Sequence, residues 1–182
     1  IAGRLSGIPY SFTVHGPDEF DAPIALNLQG KVADSAFCVA ISSYGRSQLM
    51  RWSRFADWSR IEIVRCGVDQ GFLDKPARSQ ACAAVPQLCA VARLSGQKGI
   101  PLLIEAAHRL ALAGRKFTLT LVGDGDMRPE IEALIRRFDL EEIVTITGWA
   151  SAAQVVGHLL ESRAMVLPSF AEGLPVVIME AL

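Results

Sequence analysis

Residues 87–123, QLCAVARLSGQKGIPLLIEAAHRLALAGRKFTLTLVG, decide the fold. The stretch opens on an apolar run, Gln87 to Leu94, and closes on a second, Phe117 to Gly123. Between them, GIPLLIEAAHRLALAG carries its apolar residues at helical spacing and stops at Gly114, a residue suited to a helix C-terminus. The order is strand, helix, strand. Both strands are near-continuously apolar rather than alternating, which marks strands covered on both faces. The arrangement therefore reads as one unit of a parallel sheet.

Downstream the unit repeats. DMRPEIEALIRRFDL reads as a helix with Pro129 tolerated in its first turn, and IVTITG as a strand from Ile143 to Gly148. SAAQVVGHLLES is a helix with Ser151 as its N-cap, AMVLPS is a strand from Ala164 to Ser169, and GLPVVIMEAL begins another helix. Upstream, FTVH ends a strand at His15, and GPDEFDAP is turn-rich, with Asp21 placed to cap a segment reaching Asp34. A strand from Ala36 to Ser42 follows. The next segment, SYGRSQLMRWSRF, has helical spacing that puts Leu49, Trp52 and Phe55 on one face, and a strand runs from Ile61 to Asp69. Between Gln70 and Pro86 the pattern lapses, with Pro76 and Pro86 inside it. The expected division is residues 1–75 and 76–182, each an α/β domain built on a doubly wound parallel sheet.

Composition narrows the function. The chain has 182 residues, 51% hydrophobic and 20% charged, with a formal net charge of −1. That balance offers no polyanion-binding surface, so nucleic acid is not an expected partner. No apolar run reaches the ~18 residues of a membrane span, and no signal peptide is visible. Cys38, Cys66, Cys82 and Cys89 lack metal-type pairing, and three of them lie in apolar, strand-like runs. A reduced, cytoplasmic protein follows. The sequence enters mid-pattern at Ile1 and stops inside an expected helix at Leu182, which points to an internal piece of a longer protein.

In doubly wound sheets, ligands bind beyond the carboxyl ends of the strands. The loops there carry Arg93 and Lys98 in RLSGQKGI, then Gly123, Asp124, Gly125 and Asp126, then Gly148 and Trp149, then FAEGLP. Two cations beside helix N-termini suit a diphosphate: arginine as a planar fork, lysine as a mobile point charge. Gly173 lets backbone approach a ligand, Pro175 suits a first helical turn, and Glu180 lies two turns beyond Gly173. A carboxylate beside phosphate is repelled, so Glu172 and Glu180 read as acceptors for hydroxyls, which sugars and ribose supply. Asp124 and Asp126 form a D-x-D, but acids are favoured at a helix start in any case. Arg128 stands where a dinucleotide fingerprint needs its third glycine. Trp149 reads equally as rim packing or as a platform for a base. Trp52, Trp58, His108 and His158 read as packing or helix-surface residues. Arg51, Arg54 and Arg60 read as a solvated face, or as a surface for an anionic lipid-linked acceptor.

Residues 86–182 resemble the nucleotide-sugar domain of family 4 glycosyltransferases, retaining enzymes of the GT-B fold. TVHGPDEF, AISSYGRSQLMRW and IVRCGVD resemble, more loosely, the end of the acceptor-side domain. The whole set is similar to bacterial enzymes of polysaccharide biosynthesis. The resemblance implies two Rossmann-like domains, the first incomplete and the second truncated. It implies that Arg93 and Lys98 hold the donor diphosphate, Glu172 the transferred sugar, and Glu180 the ribose. It also implies that Gly173, Leu174 and Pro175 direct amides at sugar and phosphate, and that Gly148 and Trp149 border the base. His15 matches the histidine that reaches the donor sugar. The implied reaction is metal-independent transfer of a sugar from a nucleotide-diphosphate donor to a saccharide or lipid-linked hydroxyl, at or near the inner membrane face. Two alternatives stand beside it: a non-catalytic nucleotide-sugar-binding fragment, and a nucleotide-dependent sugar epimerase.

Overall fold

The computed structural model describes residues 7–16, 18–68, 72 and 84–182. The expected boundary at 75/76, together with Asp69, Pro76 and Cys82, lies outside them. The chain groups into two compact units: Ile1–Gly67 with Ala171–Val176, and Val68–Phe170 with Val177–Leu182.

The first unit holds β1 (Ser11–Val14), α1 (Leu28–Asp34), β2 (Phe37–Ala40), α2 (Ser43–Arg51) and β3 (Ile61–Ile63). The three strands form a parallel sheet in the order β1-β2-β3. Val14, Leu28, Val32, Cys38, Ala40, Leu49 and Ile61 make its core. Ser42 caps α2 by accepting from the Gly45 N–H at 3.1 Å.

Several details differ from the sequence reading. The segment expected from Asp21 becomes helical only at Leu28, after Asn27 turns through a left-handed conformation. The α2 helix ends at Arg51, and a 3-10 turn runs from Phe55 to Arg60. Phe55 therefore leaves the face it was expected to share with Leu49: Leu49 is fully buried, while Phe55 is 81% exposed. Trp52 and Trp58 do pack against the core, and the Trp58 indole donates to the Met50 carbonyl at 3.1 Å. Asp57 is buried and neutralised, with Arg54 Nε 3.1 Å and Arg60 Nε 4.0 Å from its carboxylate. Two of the three arginines read as a free face thus serve a buried acid, which needs such partners. The β3 strand stops at Ile63, so Cys66 lies beyond it. Burial pushes the Cys38 thiol up to about 11, as suits an inert core cysteine.

The second unit holds β4 (Gln87–Val91), α3 (Ile100–Leu112), β5 (Thr118–Val122), α4 (Arg128–Arg137), β6 (Val144–Gly148), α5 (Ala152–Glu161), β7 (Ala164–Met165) and α6 (Val176–Ala181). Its parallel sheet has the order β6-β5-β4-β7. The α3 helix buries Ile100, Leu103, Ile104 and Ala107, an i, i+3, i+4, i+7 stripe. The α4 helix buries Ile131 and Ile135 one turn apart. These meet Leu119, Leu121, Leu140 and Val144 in one core. At α5, Ser151 and Gln154 form a reciprocal capping box. The last helix departs from expectation: it starts at Val176, so Gly173–Pro175 precede it and Glu180 lies one turn in, not two.

Leu121 is fully buried on a central strand, whereas Leu112 is 75% exposed. Leu121→Ala is expected to cost about 2–5 kcal/mol in urea denaturation and Leu112→Ala less than about 0.5 kcal/mol.

Candidate functional site

Strand order singles out one place in the second unit. From β4 the chain winds outward through β5 to β6, then returns to put β7 on the other side of β4. The direction reverses between β4 and β7, and the loops after those two strands diverge at the carboxyl edge, where open sheets take ligands. The loop after β4 carries Arg93 and Lys98. The loop after β7 carries Ser169 and Phe170.

These two loops are joined. The Phe170 N–H donates to the Gln97 carbonyl at 2.9 Å. Gly99, the N-cap of α3, has a φ of 64°, and a Cβ there would collide with the Pro168 carbonyl oxygen. Only glycine allows both the turn and this approach. Arg93 is exposed and Lys98 partly so; Lys98 ends the short turn Gly96–Lys98 that enters α3, and Arg93 precedes that turn. The hydroxyls of Ser95 and Ser169 are buried with no hydrogen-bond partner among the described residues. Each can both donate and accept.

The loop after β5 is bound to the same place. Leu94 N–H donates to the Asp124 carbonyl at 3.0 Å, and Met127 N–H donates to the Leu94 carbonyl at 3.0 Å. A Cβ on Gly123 would strike the Ala92 carbonyl, and one on Gly125 the Leu94 carbonyl. The glycines in this loop therefore serve backbone-to-backbone packing. Gly123 also bridges Gly148 at the end of β6, and Gly148 has a φ of 76°. Trp149, next in the chain, is 74% exposed.

Asp124 is fully engaged. Its carboxylate accepts the Gly125 N–H at 2.8 Å and the Arg128 guanidinium at 2.9 Å, and these two, the amide first, hold it below the usual 3.8. Arg128 also donates to Glu132 at 2.8 Å. Arg128 entered the sequence reading only as a missing glycine. Its partners at i−4 and i+4 are the signal that could have revealed it. Among the described residues no group of three or more metal-type side chains gathers. Glu180 is partly buried, and that burial raises its carboxyl above the usual 4.5.

In the first unit, His15 follows β1 and is exposed. The Glu19 carboxylate accepts the His15 N–H at 3.3 Å and the Gly16 N–H at 3.2 Å, an anchor the sequence reading missed. The Ala171–Val176 segment groups with this unit, and a Cβ on Gly173 would collide with the His15 carbonyl oxygen. Glu172, Leu174 and Pro175 are partly buried in the same segment.

At this sheet edge the loops after β4, β5 and β6, each bearing glycine, adjoin one another, and the first carries Arg93 and Lys98. The chain belongs to the glycosyl transferases group 1 family, whose model matches residues 74–182. This membership sets aside the epimerase alternative. The chain is 30% identical to the amylovoran biosynthesis glycosyltransferase AmsK of Erwinia amylovora over 68% of its own length and 31% of that protein. It is 37% identical to the alpha-D-kanosaminyltransferase of Streptomyces kanamyceticus, over 53% of this chain and 25% of that one. It thus spans about a third or less of these relatives. Among solved structures, Anabaena Alr3699/HepE in complex with UDP and glucose aligns with 99% of the chain and 52% of its own, at a TM-score of 0.77 and 21% identity. Sucrose-phosphate synthase from Thermosynechococcus elongatus aligns with 99% and 50%, at 0.79 and 20%. The fold is therefore the Rossmann-like α/β of GT-B enzymes.

Gly99→Ala is expected to lower stability by more than about 1 kcal/mol, because alanine resists the left-handed turn and meets Pro168. Gly157→Ala, inside α5 with open space around it, is expected to raise stability by about 0.5–1 kcal/mol. Thermal unfolding of the two variants checks both signs.

Proposed function

We propose that the protein transfers a sugar from a nucleotide-diphosphate sugar to a hydroxyl acceptor with retention of configuration, in surface polysaccharide or glycolipid biosynthesis. The observation that carries this reading is the joined edge at the β4–β7 reversal, where the loop from β4 into α3 carries Arg93 and Lys98.

In this reading Arg93 grips the diphosphate as a fork and Lys98 neutralises it as a point charge. The bond from the sugar C1 to the phosphate oxygen breaks as the C1–acceptor bond forms on the same face, and the acceptor proton passes to the departing diphosphate. The charge developing on that leaving group is what the two cations stabilise, so the catalysis is electrostatic. The two basic side chains supply the positive charge a metal would otherwise bring. Glu172 accepts from the sugar hydroxyls, Glu180 from the ribose, and His15 reaches the donor sugar. Gly173, Leu174 and Pro175 direct backbone amides at sugar and phosphate. Gly123 and Gly125 shape the loop beneath, while Gly148 and Trp149 border the base. Relatives named for polysaccharide assembly and a neighbour holding UDP and glucose support the class of donor and product. No described helix is long and apolar enough to cross a membrane. We place the transfer on the cytoplasmic side, with peripheral contact to the membrane that carries a lipid-linked acceptor. Exposed Phe55 and exposed Arg51 support that contact.

Titration with UDP, GDP and their sugars tests the assignment. Arg93→Ala and Lys98→Ala are each expected to weaken binding at least tenfold, a change of about 1.4 kcal/mol. Unchanged affinity in both variants removes the phosphate site.

Glu180 adds a pH dependence. Burial favours its neutral form in the free protein, whereas a hydroxyl donating to it in the complex favours the carboxylate. Binding then releases a proton, and affinity for a nucleotide sugar rises as pH climbs through a value above 4.5. Calorimetry is expected to show this rise in the native protein and its loss in Glu180→Gln.

A further inference from the structure

Arg128 is the node of a short charge chain. Its guanidinium NH1 lies 2.9 Å from Asp124 Oδ2, and its Nε lies 2.8 Å from Glu132 Oε1. Both partners are four residues away, Asp124 in the loop after β5 and Glu132 in α4, so loop and helix hold the guanidinium plane from two sides. The far carboxylate oxygen of Asp124 takes the Gly125 amide at 2.8 Å. The Asp124 carbonyl takes the Leu94 amide, one residue beyond Arg93. On its other side the pair borders the end of β6: a Cβ placed on Gly148 would lie 3.4 Å from Arg128 NH1 and 3.6 Å from Asp124 Oδ2.

The arrangement reaches both ends of an extended ligand. One end is the loop of Arg93, the other the turn that presents Trp149. The Arg93 loop is met by the Asp124 carbonyl, and the Gly148 turn borders the Asp124 and Arg128 side chains, so Asp124 reaches both. The guanidinium is already committed to two carboxylates, which makes it a poor direct ligand for phosphate. Its bidentate geometry suits it to fixing a loop.

We propose that Arg128 is a positioning residue of the donor site: through Asp124 it holds the Arg93 loop and the Gly148–Trp149 turn at the mutual spacing a nucleoside diphosphate requires. The inference rests on the donor-site reading above. It concerns residues that touch the site's loops and not the donor.

The test measures the affinity of the intact protein for UDP and GDP by calorimetry, with thermal unfolding run on every variant. Arg128→Ala is expected to weaken nucleotide binding five- to twentyfold. Arg128→Lys can reach one carboxylate but not bridge two, and is expected to recover about half of that loss on a logarithmic scale. Asp124→Asn is expected to weaken binding, and its effect is expected not to add to that of Arg128→Ala, since both break one link. A non-additive loss of affinity in folded variants separates positioning from general stabilisation. If Arg128→Ala does not fold, Arg128→Lys and Asp124→Asn with their double variant carry the same comparison. Binding within twofold of native in the folded Arg128 variants, with Arg93→Ala still weakened tenfold, overturns the inference and leaves the donor site standing. Unchanged binding in Arg93→Ala and Lys98→Ala overturns the donor site, and this inference with it.

Discussion

The second unit depends on a backbone contact at the point where its sheet reverses direction. Two parallel strands, β4 and β7, lie side by side although about seventy residues of chain separate them, and their loops must pass without colliding. They do so because Gly99 has no side chain to meet the Pro168 carbonyl, and because the Phe170 amide reaches Gln97. Both features place the start of α3 against the end of β7. The helix start, the cations beside it and the loop after β7 are consequences of one close approach.

Charge is distributed unevenly around that point, and each ion pair has a local reason. Asp57 in the first unit is buried, so Arg54 and Arg60 are drawn to it and away from the solvent role that their spacing suggests. Asp124 in the second unit sits where a loop amide and a guanidinium both favour the carboxylate. Carboxylates occur throughout both units, yet the loop after β4 carries only cations. In the adjoining loop the carboxylate of Asp124 is occupied by the Gly125 amide and by Arg128.

The fold was legible because its signals are local. Apolar runs at Gln87–Val91 and Thr118–Val122, the stripe through Ile100, Leu103, Ile104 and Ala107, and Ser151 as a cap all act within a few residues of themselves. Errors gathered where a distant partner decides the outcome. Phe55 fits the helical period of Leu49, but the chain leaves the helix at Arg51 and turns to bring Asp57 inside. Spacing from Gly173 put Glu180 two turns into a helix, but the Ala171–Val176 segment groups with the first unit and the helix starts at Val176.

The candidate site shows the same division. Residue type and position after an apolar run suffice to nominate Arg93 and Lys98 as candidates, because a strand's end and a helix's start are written in the neighbouring residues. Which strands lie together is not written there, since hydrogen bonding between strands joins residues far apart in the chain. Only the folded sheet puts β7 beside β4, joins the loops that follow them, and brings Gly123 against Ala92 and Gly173 against His15. Those contacts are long-range or geometric, and a linear pattern carries neither distance nor direction.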